Sequence, residues 1–158
     1  MGKMNVAQDI HIVPIRTTTT DTATFVTPHI NMKQYEKVEF VVMFGTLSGG
    51  SNVLTVTQDA ATAGTTSTTA IAARYRMPAA PGTDTMGDVT ALASTGLTLT
   101  YGTFTGKGII VDVDSSDMTT AAKPYVGLTF TGANSAVSTI WALCWPKYPK
   151  ETNANALT

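Results

Sequence analysis

Between residues 36 and 60 the chain reads EKVEFVVMFGTLSGGSNVLTVTQDA, and polar and apolar positions alternate through most of it. Val38, Phe40, Val42 and Phe44 interleave with Lys37, Glu39, Val41 and Met43, a period of two with one wholly apolar face. Leu54 and Val56 repeat the pattern against Val53, Thr55 and Thr57. β-Branched and aromatic residues dominate both runs, as a pleated, half-buried surface favours. Between them LSGGSN offers Gly49 and Gly50 for the positive φ of a tight reversal, so the stretch predicts a central β-hairpin. A lone hairpin is marginal in water, and further strands must cover it.

Those strands are legible on either side. DIHIVPI, residues 9–15, alternates Ile10 and Ile12 with Asp9 and His11, and Pro14, which cannot donate to a ladder, marks an edge strand or a strand end. Residues 17–20, all threonine, read as a polar connector. TATFVT reads as a short strand with Ala23 and Phe25 on one side, stopped by Pro28. HINMKQYE follows, with Ile30, Met32 or Tyr35 packing as a lid. After a small-residue loop at 60–69 that pivots on Gly64, residues 70–77 predict a strand with Ile71, Ala73 and Tyr75 aligned. Residues 78–88, PAAPGTDTMGD, predict the main exposed loop.

GLTLTYG then sets Leu97, Leu99 and Tyr101 against Thr98 and Thr100, and GIIVDVD sets Ile109, Val111 and Val113 against Ile110, Asp112 and Asp114. PYVGLTF turns Val126, Leu128 and Phe130 inward. AVSTIWALCW is the most apolar strand and stops at Pro146 and Pro149. Helix is confined to one turn around DMTTAAK. About eight short strands with Gly, Pro and Thr turns predict an all-β antiparallel β-sandwich of jelly-roll type, with a closed barrel as the alternative. Residues 9–149 form the single sandwich domain in this reading. Residues 1–8 are a flexible N-terminal arm ordered by a partner, and residues 150–158 a polar C-terminal tail.

Composition changes the picture in one respect. Charged residues make up 13% of the 158, against roughly 25% in an ordinary soluble domain, and thirty residues are threonine. A surface of hydroxyl and methyl groups suits a protein packed against neighbours. The net charge of −1 provides no basic footprint for nucleic acid. The lone Cys144 excludes an internal disulfide, and no apolar run is long enough to span a membrane. The N-terminus has no apolar signal region, and Val6 breaks the myristoylation pattern that Gly2 begins, so synthesis and assembly in a cytoplasm are expected.

Candidate chemistry is sparse. Asp112, Asp114 and Asp117 in DVDSSD suggest calcium, but the sixth and twelfth positions of an EF-hand loop hold Asp117 and Lys123 instead of Gly and Glu, so they read as a solvated strand end. His11, His29 and Cys144 supply at most three soft ligands at unrelated spacing, short of a zinc site. TLSGGSN lacks the lysine of a phosphate-binding loop, no GxSxG or cysteine-protease signature occurs, and Cys144 reads as a buried inert thiol. The expectation is a protein that is not an enzyme and holds no cofactor or metal. Aromatic and arginine side chains are the usual anchors of protein contacts, which singles out Arg74 and Arg76 around Tyr75, and Trp145 and Tyr148 at the end of the last strand; Val6 joins them as an apolar residue of the arm that a partner would order. One tryptophan is expected in the core and the other at an interface.

INMKQYEKVEFVVMFGTL, LTVTQDAATAGT, GIIVDVDSSDM and the closing IWALCWPKYP, in that order, resemble the small β-rich virion proteins of tailed bacteriophages, of the head-decoration or minor-capsid type. The resemblance covers about two thirds of the chain. It implies a virion location and a structural role, with the major capsid protein and copies of the chain itself (a trimer favoured) as partners, and neither nucleic acid nor membrane. It assigns no binding residue. The alternatives are a tail, neck or fibre component, or a carbohydrate-binding sandwich module.

Overall fold

The computed structural model describes residues 9–132, 134–148 and 156–157. Among these residues, twelve strands are distributed over two six-stranded antiparallel sheets. The strands are β1 (His11–Asp21), β2 (Phe25–Val26), β3 (Ile30–Asn31), β4 (Tyr35–Leu47), β5 (Ser51–Asp59) and β6 (Thr69–Ile71). They continue with β7 (Ala73–Arg76), β8 (Thr90–Leu92), β9 (Leu97–Thr100), β10 (Gly108–Asp114), β11 (Tyr125–Thr131) and β12 (Ala136–Pro146). The first sheet runs β1-β12-β4-β10-β7-β8. The second runs β2-β11-β5-β6, with β3 also on β11 and β9 also on β5.

This order is that of a jelly roll. β2 and β3 pair with opposite ends of β11, and β6 and β9 with opposite ends of β5, so each couple occupies one strand position. Eight positions then remain, and in chain order the first, eighth, third and sixth form one sheet while the second, seventh, fourth and fifth form the other. The β7–β8 hairpin is an addition at the β10 edge. The expected eight strands become twelve through two interruptions and this one insertion. Pro28 makes the first interruption, since it cannot continue a ladder.

The predicted central hairpin is overturned. β4 pairs with β10 and β12, and β5 with β11, β6 and β9, so the two strands lie in opposite sheets and the glycine turn crosses between them. Gly49 and Gly50 do have positive φ, 86° and 135°, but the turn bonds to other loops at that end. Ser48 N–H donates to the Ser135 carbonyl at 3.0 Å, and the Gly50 carbonyl accepts from Tyr101 N–H at 3.3 Å. Each strand has one apolar face, and facing each other across the core buries both faces. Pairing side by side would bury them only against a third element.

The alternation itself stands. Val38, Phe40, Val42 and Phe44 face the core with Leu54, Val56, Ile109, Val111, Val113, Val126, Leu128 and Phe130, all buried. Ile30, Met32 and Tyr35 close one end as the expected lid. Three local readings are corrected. The polar connector at 17–20 is part of β1, whose Thr19 and Thr20 pair with Ser138 and Val137; an edge strand needs only one partner and tolerates polar faces beyond the core. Residues 70–77 break at Ala72 because β6 and β7 belong to different sheets. Tyr101 leaves the face of Leu99 to begin a four-residue helical turn, Tyr101–Phe104, and is 58% exposed.

The arm, with Val6, and most of the tail lie outside the described residues. Of the tail, Ala156 is buried, its carbonyl accepting from Asn31 N–H at 2.9 Å, so this part of the expected polar tail belongs to the core. Leu99 is buried on β9 while its neighbour Thr98 is exposed. Leu99→Ala is therefore expected to cost about 2–5 kcal/mol in urea denaturation, and Thr98→Ala no more than about 0.5 kcal/mol. Similar losses for the two would mean that β9 presents its other face to the core.

Candidate functional site: the outer face of the first sheet

The inward face of the first sheet is spent on the core, and its outward face is unusually apolar. In register across the sheet, Pro14 of β1 stands beside Trp141 of β12, Trp141 beside Val41 of β4, Val41 beside Ile110 of β10, and Ile110 beside Arg76 of β7. Val89, just before β8, lines the same crevice as Arg76 and Ile110 and completes the row. Trp141 is 42% exposed and Met43, one step further along β4, is 49% exposed. Beside this row the 78–87 loop folds back through a Pro78–Met86 bridge and leaves a groove of about 340 Å³ lined by Val41, Met43, Pro78, Pro81, Met86 and Ile110. Lys107 at its rim donates to the Ala79 carbonyl at 2.7 Å.

A second row carries charge. Leu143 of β12 stands beside Glu39, Glu39 beside Asp112, and Asp112 beside Arg74. Lys37 lies 2.8 Å from Glu39 and 3.2 Å from Asp112. Arg74 reaches Asp112 at 3.5 Å, Asp117 at 3.2 Å, and Asp114 as well. Burial works against both cations, but the carboxylates around them raise the pKa of Lys37 and of Arg74 above the ordinary values. Asp117 also accepts from Asp114 N–H at 2.9 Å, closing a short 3₁₀ turn at Ser115–Asp117. The DVDSSD aspartates thus surround an arginine from β7.

Of the residues singled out in the sequence, Arg74 is held by these three aspartates. Arg76 is exposed on the same face, with no ion-pair partner among the described residues. Trp145 is half-buried on the outer side of β12 with the Lys37 ammonium 5.4 Å from its ring centre, and Tyr148 is 72% exposed beyond the strand. The expectation that one tryptophan fills the core is corrected: both lie on the outer side of β12, because Ile140, Ala142 and Cys144 take the inward positions. Val41, Met43 and Ile110 were missed as candidates, and Trp141 was weighed only as one of the two tryptophans. Their signal was present as apolar residues at the outward positions of β4 and β10, where a solvated sheet carries polar ones.

A second polar constellation lies in the interior. His29 is fully buried; its Nδ1 is 2.9 Å from the Thr27 carbonyl and its Nε2 3.1 Å from Thr57 Oγ1, which is 3.1 Å from Thr129 Oγ1. A carbonyl only accepts, so Nδ1 carries the proton and Nε2 accepts from the Thr57 hydroxyl. Burial lowers the His29 pKa, outweighing the hydrogen bonds and Asp59, which favour the charged form. Asp59 accepts from the N–H groups of Ala61, Thr66 and Ser67 at 3.0–3.2 Å. Although burial alone would raise its pKa, these donors and His29 hold it below the ordinary value. Closed from solvent, the histidine ties the 60–68 loop region and the β2–β3 segment to β5 within the second sheet. Cys144 is buried too, its thiol pushed up to about 12 and so protonated.

This burial gives the stability a pH dependence. The folded-state pKa of His29 lies below that of the unfolded chain, so the unfolded chain takes up the proton first as pH falls. The His29 contribution is complete above the unfolded value near 6.5 and declines below it. The melting temperature should fall between about pH 7.5 and 5.5, and His29→Gln, though less stable, should show a flatter profile. His11, whose pKa burial also lowers, supplies a residual slope of the same sign. An unchanged slope in His29→Gln would assign the effect to other groups.

No protein family matches this chain, and no curated protein or solved structure does either.

Proposed function

We propose that this chain is a structural subunit that acts through protein–protein contact, an accessory protein of a bacteriophage head that reinforces the shell by bridging its subunits. The observation that supports this reading is the apolar outer face of the first sheet, with Trp141, Val41, Met43 and Ile110 presented in register. An antiparallel sheet can leave one face to water, and then carries polar residues there; exposed apolar side chains gathered on one face mark a contact surface. The low surface charge and the sequence resemblance to virion proteins point the same way. Binding only the assembled lattice stabilises it by mass action, about 2.7 kcal/mol per site at a hundredfold excess over Kd.

The test is co-sedimentation of the purified protein with heads that lack it, together with the resistance of those heads to heat. Saturable binding that protects the heads, and that Met43→Ser weakens, is the expected result. A protein that ignores heads but binds glycans as a monomer would replace this reading with that of a carbohydrate-binding module.

A further inference from the structure

The outer face of the first sheet is self-complementary, and we infer that a second copy of this chain docks on it about a two-fold axis. The inference rests on reading that face as a contact surface and makes its occupant a second copy, so that a head is bound by the pair and Met43 acts on head binding through dimerisation. The six strands are centred between β4 and β10. A two-fold axis lying in the interface, parallel to the strands and passing between these two, lays each row of the face on the same row of the partner in reverse order. For the row Pro14, Trp141, Val41, Ile110, Arg76, Val89 the reversal sets Trp141 against the partner's Arg76, Val41 against the partner's Ile110, and Pro14 against the partner's Val89. Every contact occurs twice.

Two features of this pairing are chemical rather than geometric. Arg76 is an exposed cation without an ion pair among the described residues, and the face of a tryptophan is the best aromatic site for a guanidinium. Val41 and Ile110 remove apolar surface from water at the centre, where contact energy concentrates. The neighbouring rows agree with the same rotation. Met43 leans over the bare backbone of Gly108 in its own copy, where a Cβ would come within 2.6 Å of its sulfur, so the two methionine side chains approach each other across the axis, and Lys37 meets the partner's Asp114. Glu39 and the partner's Asp112 are a like-charge meeting, which Lys37 and Arg74 offset only in part, since those two cations also serve Asp114 and Asp117. The 78–87 loops lie to the same side of the axis in each copy's own frame, so in the pair they flank the contact from opposite sides.

Sedimentation velocity over a range of concentrations tests this. The wild-type chain should pass from monomer to dimer, and Trp141→Ala and Arg76→Glu should each raise the dissociation constant by at least about tenfold. Arg76→Lys, which keeps a cation over the ring, should lose less. In a Trp145→Phe background the emission of Trp141 should shift to shorter wavelength as the dimer forms. At a concentration where the wild type is monomeric, both surface variants should melt as it does, which separates lost contact from lost fold. A wild-type chain that stays monomeric up to about 1 mM, or variants that dimerise as it does, would overturn the inference. Co-sedimentation separates this from the reading above. A monomer that binds heads through Met43 sinks the two-fold pair alone, whereas a dimer that binds no head sinks the head reading and leaves the pair.

Discussion

Gly127→Ala should destabilise the protein by about 2–5 kcal/mol, although it adds a single methyl group to a strand. The backbone of Gly127 on β11 passes the His29 ring so closely that a Cβ there would lie 2.4 Å from Nδ1 and 2.7 Å from Cε1. The ring cannot step aside. Its two nitrogens are held by Thr27 and Thr57, and on another side stands Gly64, where a Cβ would come within 2.2 Å of the same ring. Either the strand is displaced from its register or the histidine loses both hydrogen bonds in the interior. Overpacking costs about 1–3 kcal/mol, and each buried polar group left unpaired adds a comparable amount. Gly64→Ala should be at least as damaging, since Gly64 also has φ of +66°, where an L side chain is strained. Urea denaturation measures both. The decisive comparison is His29→Ala with Gly127→Ala: the double variant should be less destabilised than the sum of the singles, because one change vacates the space the other fills. Strict additivity would show that the clash is not the cause.

Phe40→Ala should cost about 3–5 kcal/mol, a large part of the 5–15 kcal/mol that holds a typical domain together. Phe40 is fully buried in the middle of β4, with Val111 of β10 on one side and Ala142 of β12 on the other. Alanine beside it leaves little side chain able to relax into the vacated space, so most of the cavity should persist. Met43→Ala on the same strand, facing outward, is the control and should fall within about 0.5 kcal/mol of wild type in the monomer. If the two lose the same amount by chemical denaturation, then β4 buries its other face, and the outer row described above disappears with it.

Strand positions and faces were legible in the chain because a strand with one buried face must repeat every two residues. β4 and β10 have that single boundary between core and solvent along their length, and β5 and β11 have it except where Thr57, Asp59 and Gly127 are also buried; their inward residues are those the alternation selects. β1 was legible only at its start. An edge strand pairs on one side, and where it extends past the core its composition is that of a loop, as residues 17–20 show. The outer face was half legible. Val41, Met43 and Ile110 stood at positions where polar residues belong, but with the hairpin assumed, nothing in one dimension aligned them with Trp141. Arg74 illustrates the converse. Its identity suggested an interface anchor, and only β7 pairing with β10 brings it within reach of Asp112, Asp114 and Asp117.

The sequence by itself determined the class of fold, the inward side of most strands and the places where ladders stop. These follow from local sterics and from burial periodicity, and both are written within a few residues. Tertiary structure alone decided that β4 and β5 face one another across the core, that residues 70–77 divide between two sheets, and that six side chains from separate segments line up in one outer row. Those outcomes depend on which apolar face finds which, a competition among segments tens of residues apart. Its winner is set by the total surface buried, a quantity no short window of sequence contains.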